Sequence, residues 1–240
     1  MAENLDPFLL KKWNHAFALF FDINKDSVLE WADFELLIER VKENRGENSE
    51  DYKTALTAMK DIWHKLSTLA DANSDNQVTT DEWKEMWYDT LQAKTDTTWQ
   101  KLYLDYMFKL FDSSGDELID ISEYVEVMGY YGIERKQAMW AFDKFALGED
   151  GQPVMAIDYA AYCRLWDEFF KSTDPSKPGN FIFGSVMGEF DPEKTEVDEI
   201  GNLSDDEEVD KLQEEQDAVV AGKISRQRST LYPSIDTENT

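Results

Sequence analysis

Three stretches of this chain place oxygen-bearing side chains at a spacing that suits a hard divalent cation. They run from Asp22 to Asp33 (DINKDSVLEWAD), from Asp71 to Glu82 (DANSDNQVTTDE) and from Asp112 to Glu123 (DSSGDELIDISE). In each, oxygens fall at positions one, three and five of a twelve-residue frame, and a carboxylate closes position twelve. Ca²⁺ takes six to eight oxygens from a loop that curls around it, and this pattern supplies them. The candidate ligands of the first loop are Asp22, Asn24, Asp26, the main-chain carbonyl of Val28, and Asp33, with Glu30 at position nine. The second offers Asp71, Asn73, Asp75, the carbonyl of Gln77 and Glu82; the third offers Asp112, Ser114, Asp116, the carbonyl of Leu118 and Glu123. One D-x-N-x-D arises easily by chance. Three in register, each with the same kind of closing group, make a merely solvated acidic turn a poor explanation.

The three loops are not interchangeable. Asp33 is one methylene shorter than the usual closing Glu and tends to give one oxygen where Glu gives two. A lower coordination number favours the smaller Mg²⁺, which wants six ligands at short range, so Mg²⁺ is expected to compete at the first loop. None of the loops has glycine at position six, where the chain must turn with positive φ; Ser27, Asn76 and Glu117 stand there instead. Asn tolerates that conformation, Ser less so and Glu poorly. Strain of about 1–2 kcal/mol at such a residue weakens binding about tenfold. The third loop, strained at Glu117, is therefore expected to bind in the micromolar class.

Helical periodicity brackets every loop. Before the first, Phe8, Leu9, Trp13, Phe17, Leu19, Phe20 and Phe21 recur at spacings of three and four; Trp31, Phe34, Leu37, Ile38 and Val41 follow it. Ala55 to Leu69 and Trp83 to Leu91 flank the second, and Trp99 to Phe111 and Ile121 to Tyr131 flank the third. Position eight is Leu29, Val78 and Ile119 in turn, β-prone residues suited to a short antiparallel bridge with a partner loop. Pairing demands an even number of units, and a fourth lies between Arg135–Phe145 and Asp158–Phe170. Counting back from Ile157 at position eight puts Asp150 at position one, with Gln152, Val154 and Ala161 at three, five and twelve. Lacking a closing carboxylate, this unit reads as structural.

The expected fold is all-α: four helix–loop–helix units paired into two lobes of one compact globule. The first pair covers residues 1–94 and the second 95–172, with a degenerate loop near 146–161. An apolar segment over 173–188 is expected to pack back on the body. Acidic residues dominate 189–240 and apolar ones are too few to offset chain entropy, so a disordered tail is expected there.

Of the 240 residues 42% are hydrophobic and 13% aromatic, enough for a sizeable core, while a net charge of -27 argues against nucleic acid or an anionic membrane as the direct partner. Cys163, the only cysteine, permits no intramolecular disulfide and reads as a small core residue. No secretory leader and no stretch of about 20 apolar residues is present, so a cytoplasmic monomer without a transmembrane segment is expected. His15 and His64 lie beside no nucleophile and no phosphate-binding glycine motif occurs, so no enzymatic activity is expected. The eight tryptophans track the helical apolar stripes and read as core rather than as a ligand pocket.

FALFFDINKDSVLEWADFELLI, DEWKEMW, YMFKLFDSSGDELIDISEY, YGI, AFDKF, RLWDEFF and GNFIFGS, in that order over about residues 8 to 186, resemble the calexcitins, invertebrate neuronal relatives of the sarcoplasmic calcium-binding proteins. The resemblance implies a four-EF-hand globule in which the first three loops bind Ca²⁺ and the fourth does not. It also implies a neuronal signalling role acting on potassium or calcium-release channels. A GTP-binding activity is associated with the family, but the residues that would carry it are not found in this sequence. Three functions follow as expectations: a Ca²⁺ sensor with a membrane channel or other protein target, a Ca²⁺/Mg²⁺ buffer, and, less in keeping with two histidines, a Ca²⁺-triggered photoprotein.

Overall fold

The computed structural model describes residues 5–191, and over these the chain is built from helices and two very short sheets. Helix α1 (Pro7–Ala16) starts at Asp6, whose carboxylate accepts the Phe8 amide at 2.8 Å, with Pro7 preset for the first turn. It runs into a π-helical turn (Phe17–Phe21) closed by Asp22 N–H donating to the Phe17 carbonyl at 2.9 Å. Strand β1 (Val28–Leu29) and helix α2 (Trp31–Arg45) follow, then α3 (Glu50–Ala70), capped by Ser49. Strand β2 (Val78–Thr79), α4 (Thr80–Leu91) and α5 (Thr98–Phe111) lead to β3 (Leu118–Asp120) and α6 (Ile121–Tyr130). Helix α7 (Arg135–Phe145), β4 (Ala156–Asp158), α8 (Tyr159–Lys171) and a 3-10 turn (Pro178–Phe181) complete the described chain.

The loops meet two by two. Strand β1 pairs with β2 antiparallel, Leu29 opposite Val78, and β3 pairs with β4, Ile119 opposite Ile157. These four position-eight side chains are buried, so each bridge also roofs the core. Each pair then shares its interior with the other. Trp13 stacks on Trp87, with ring centroids 6.0 Å apart, and Trp87 stacks on Phe170 of α8 at 4.2 Å. The indole N–H of Trp13 donates to the Phe170 carbonyl at 2.9 Å, and that of Trp83 to the Trp13 carbonyl at 3.0 Å. Phe21 packs among Phe34, Trp83, Trp99 and Tyr103. Trp13, Trp83, Trp87, Trp99 and Trp166 are buried, whereas Trp31, Trp63 and Trp140 lie partly buried against the core. Cys163 departs from the sequence reading: it is half-buried at the edge of the core, on the flank of α8.

Lys12 gives no hint of burial in the sequence, yet it is 0% exposed. Its ammonium donates to the carbonyls of Glu168 (3.1 Å) and Ser172 (2.7 Å) at the end of α8 and to Asn180 Oδ1 (2.9 Å). The negative end of the α8 dipole thus receives the charge. Loss of hydration nevertheless lowers the Lys12 pKa to about 8, against the pull of Asp6 and Glu168. Between about 8 and the ordinary 10.5 the unfolded chain binds more protons than the folded one, so stability rises with pH through that window. Urea unfolding from about pH 7.5 to 9.5 is expected to show the wild type gaining stability relative to Lys12→Met as pH rises, a comparison in which the opposing titration of the buried tyrosines cancels; parallel curves would count against it.

Candidate metal centres

One hydrogen-bonded frame recurs in the first three loops. Helices α1 with its π-turn, α3 and α5 end on Asp22, Asp71 and Asp112, whose backbones adopt nearly the same conformation (φ -79 ψ 77, φ -71 ψ 86 and φ -71 ψ 71). The two oxygens of each carboxylate accept the amides of positions five and six. Asp22 takes Asp26 and Ser27 (both 3.0 Å), Asp71 takes Asp75 (3.2 Å) and Asn76 (2.9 Å), and Asp112 takes Asp116 (3.0 Å) and Glu117 (3.2 Å). Position five then accepts the amide of position seven: Asp26 from Val28 (3.0 Å), Asp75 from Gln77 (2.9 Å), Asp116 from Leu118 (3.0 Å). At position three, Asn24 and Asn73 accept the Asp26 and Asp75 amides, each at 2.9 Å.

The closing carboxylate ties the two ends of each loop. Asp33 accepts Glu30 N–H at 3.0 Å through one oxygen, and Ile23 (2.9 Å) and Asn24 (3.2 Å) through the other. Glu82 accepts Thr79 at 2.9 Å and Ala72 at 3.1 Å; Glu123 accepts Asp120 at 3.2 Å and Ser114 at 2.9 Å. Position nine caps the exiting helix in return, as Thr79 does for Glu82 N–H and Asp120 for Glu123 N–H. A carboxylate oxygen has lone pairs to spare, so accepting an amide leaves it able to face a cation as well.

Electrostatics favour a cation at two of these closures. Asp33 and Glu123 are buried, and desolvation raises the pKa of both. The negative charges of Asp26 and Asp120 add to the respective shifts, and the loop amides oppose them. A buried carboxylate with a like charge beside it is costly unless paired, and a bound cation would pair it. Among the described residues no three His, Cys, Asp or Glu side chains converge as a metal-holding group by themselves. Beside its carboxylates each loop offers Asn24, Asn73 or Ser114 and main-chain carbonyls, a mixed oxygen set of the kind that suits Ca²⁺. The residues present fit that ion.

Positive φ falls at position six of all three loops, at Ser27 (69°), Asn76 (64°) and Glu117 (68°). It also falls at position four, where the residue types in the first two loops alone give no sign of it: Lys25 (63°), Ser74 (62°) and Gly115 (73°). This reorders the strain. The third loop spends glycine at one of its two left-handed positions, while the first holds Lys25 and Ser27 there. The DSSG run was the available clue, since glycine at position four has little other purpose.

The fourth loop differs in length as well as in ligands. Ala146 has the position-one backbone (φ -75 ψ 72) at the end of α7, and Asp158 caps α8 by accepting the Ala161 amide at 2.7 Å, as position nine does elsewhere. The frame therefore runs from Ala146 to Ala161, sixteen residues where the others have twelve. The count that put Asp150 at position one is corrected. The added length is taken up by a small tongue, Leu147 to Pro153, in which Leu147 bridges Pro153 and Gly148 N–H donates to the Gln152 carbonyl at 2.8 Å.

Helix–loop–helix units bridged in pairs at position eight, three of them with this oxygen frame, define an EF-hand calcium-binding protein. No family model matches the chain. Individual relatives do: Calexcitin-1 of Caenorhabditis elegans is 36% identical over 184 residues, 77% of this chain and 90% of that protein. A sarcoplasmic calcium-binding protein beta chain of Penaeus is 30% identical over 176 residues, 69% of this chain and 90% of its own. A sarcoplasmic calcium-binding protein from amphioxus superposes with a TM-score of 0.64 at 26% identity, over 76% of this chain and 99% of its own. The chain belongs to the calexcitin and sarcoplasmic calcium-binding protein family.

Proposed function

We propose that this protein is a non-enzymatic Ca²⁺ sensor holding three ions, one in each of the first three loops. The ligands are Asp22, Asn24, Asp26, Val28 O and Asp33; Asp71, Asn73, Asp75, Gln77 O and Glu82; and Asp112, Ser114, Asp116, Leu118 O and Glu123. What carries the reading is the frame built three times and absent from the sixteen-residue fourth loop. Bound there, Ca²⁺ supplies the positive charge that the clustered carboxylates lack. The chain's own residues fix the loop ends, and through them the angle between entering and exiting helices. Likeness to Calexcitin-1 supports a signalling role, which we assign to neuronal excitability through a membrane channel or other protein target. Among the described residues no helix is long and apolar enough to cross a membrane, and a cytoplasmic monomer is the form proposed to act. We retain 1–94 and 95–172 as the two hand pairs, with 173–188 as the segment that closes on them. The proposed tail over 189–240 lies almost entirely outside the described residues.

Calorimetric titration with Ca²⁺, with and without millimolar Mg²⁺, tests this. Three ions are expected, with Mg²⁺ competing at the first loop; two or four ions would refute the assignment. Asp33→Glu is expected to move the Ca²⁺ over Mg²⁺ preference of that loop about tenfold toward Ca²⁺. An unchanged Mg²⁺ affinity would sink the idea that the short closure sets the preference.

One observation favours a second reading, a Ca²⁺/Mg²⁺ buffer like the sarcoplasmic relatives. Few large apolar residues are exposed among those described, and Leu36, Leu56, Met155, Tyr159 and Met187 fall on α2, α3, the fourth loop, α8 and the segment after the 3-10 turn. Ca²⁺-dependent retention on a hydrophobic resin selects the sensor; retention indifferent to Ca²⁺ selects the buffer.

A further inference from the structure

Beyond α8 the chain doubles back as a strap, Pro178 to Gly184, that is gripped from several sides. Gly179 lies so close to α8 that a Cβ there would sit 2.4 Å from the Leu165 carbonyl, and its amide donates to Glu168 Oε2 at 3.0 Å. Lys12 reaches Asn180 at 2.9 Å, and His15 Nε2 lies 2.8 Å from the Phe183 carbonyl that accepts its proton. Ile182 and Phe183 are each 1% exposed, with Phe183 edge-on to Phe169 (4.7 Å) and Trp166 (5.6 Å).

Two further contacts come from the metal loops. Phe20, in the π-turn two residues before Asp22, packs edge-on against Phe183 with centroids 4.5 Å apart. Tyr124, directly after Glu123, is buried and donates its hydroxyl to the Ile182 carbonyl at 3.1 Å. Adjacent strap residues are therefore held by a side chain two residues before the first ligand of loop one and by the residue directly after the last ligand of loop three. The β bridges cannot join these two loops, because β1 pairs with β2 and β3 with β4. Packed interiors shift between discrete arrangements rather than deforming smoothly, so a seated strap and an unseated one are the alternatives both loops can bias. A π-turn placed where a helix meets a site is a common way to aim one side chain, here Phe20.

We propose that the strap couples ion binding at the first and third loops, so that occupancy of one strengthens the other across the two hand pairs. The proposal rests on the site assignment above. By linkage the coupling is reciprocal, and ions at either loop also hold the strap down.

The test uses the full chain. Asn24→Ala with Asp26→Ala disables the first loop at exposed positions; Tyr124→Phe removes only the hydroxyl at the strap. Calorimetric Ca²⁺ titrations are run on the wild type, each variant and the combination. Hydrogen exchange of amides 179–184 is read in Ca²⁺ and in chelator. Disabling the first loop is expected to weaken the third about fivefold or more, the range of ordinary coupling, and Tyr124→Phe is expected to shrink that effect below about twofold. Ca²⁺ is expected to slow exchange in the strap less when the first loop is disabled. A third loop indifferent to the first would overturn the proposal. So would coupling that survives Tyr124→Phe, which would route it through the direct contact of Phe20 with Tyr131 (4.6 Å). If Tyr124→Phe fails to fold, Asn180→Ala loosens the strap from its other side under the same expectation. Heats showing no ion at the first or third loop would refute the site assignment itself, a different result from three uncoupled ions.

Discussion

Trp83→Ala is expected to lower the unfolding free energy of the chelated protein by about 3–5 kcal/mol, the range for removing a large aromatic from a tight core. Trp83 is fully buried and touches Phe17, Phe21, Trp87 and Trp99, with centroids 5.1 to 5.9 Å away. Those neighbours are themselves rings locked against others, so the site has little freedom to collapse and most of the cavity persists. The indole also donates to the Trp13 carbonyl at the point where α1 approaches the π-turn. Trp83→Phe keeps much of the volume and loses that donor, so about 1–3 kcal/mol is expected for it. Urea unfolding of the three proteins in chelator decides the matter. A loss under 1 kcal/mol for Trp83→Ala would mean that the two hand pairs do not depend on a shared core. A domain's whole stability is of order 5–15 kcal/mol, so the alanine variant is also expected to depend on added Ca²⁺ for full folding.

Lys25→Gly combined with Ser27→Gly is expected to tighten the first loop by about thirtyfold to several hundredfold. Each residue is held in the left-handed region at about 1–2 kcal/mol where glycine is at ease. Glu117→Gly is expected to gain about tenfold at the third loop, since Gly115 already relieves the other position. Asn76→Gly is expected to change little, because Asn visits this conformation readily. Removing the Lys25 charge also favours a cation, so Lys25→Ala serves as the control: it drops the charge and keeps the strained backbone. Competition titration against a chromophoric chelator separates the cases. If Lys25→Ala gains as much as Lys25→Gly, charge rather than strain limits the first loop.

Much of this architecture was legible because the repeat over-determines it. Leu29, Val78 and Ile119 follow by counting from the acidic frame and Ile157 from its place before the exiting helix, and the β pairings join those residues. Asp and Glu at position twelve also close a capping box at the start of each exiting helix, so ligand and helix start share one residue. Other features had no one-dimensional trace. Position-four strain at Lys25 and Ser74 depends on a backbone angle that no side chain at those positions advertises. The π-turn is one residue out of step with a periodic apolar run, and FALFF is apolar at every position, so no stripe exists to slip. Burial of Lys12 requires three acceptors 156 to 168 residues away. The fourth loop misled for a related reason: Asp150 looked like a first ligand only because twelve was assumed for its length.

That sixteen-residue loop also fixes how far the unit stands from regaining an ion. Glu in place of Ala161 would restore a closing carboxylate, yet the tongue at Leu147–Pro153 would still hold Asp150 out of register with it. Restoring both the closure and the register takes a deletion of four residues together with that substitution, and Val154 would still bring no side-chain oxygen to position five. Meanwhile Ile157 must stay opposite Ile119, because the third loop leans on it. The fourth unit thus serves the third through the β bridge, and a one-residue change does not give it the twelve-residue frame.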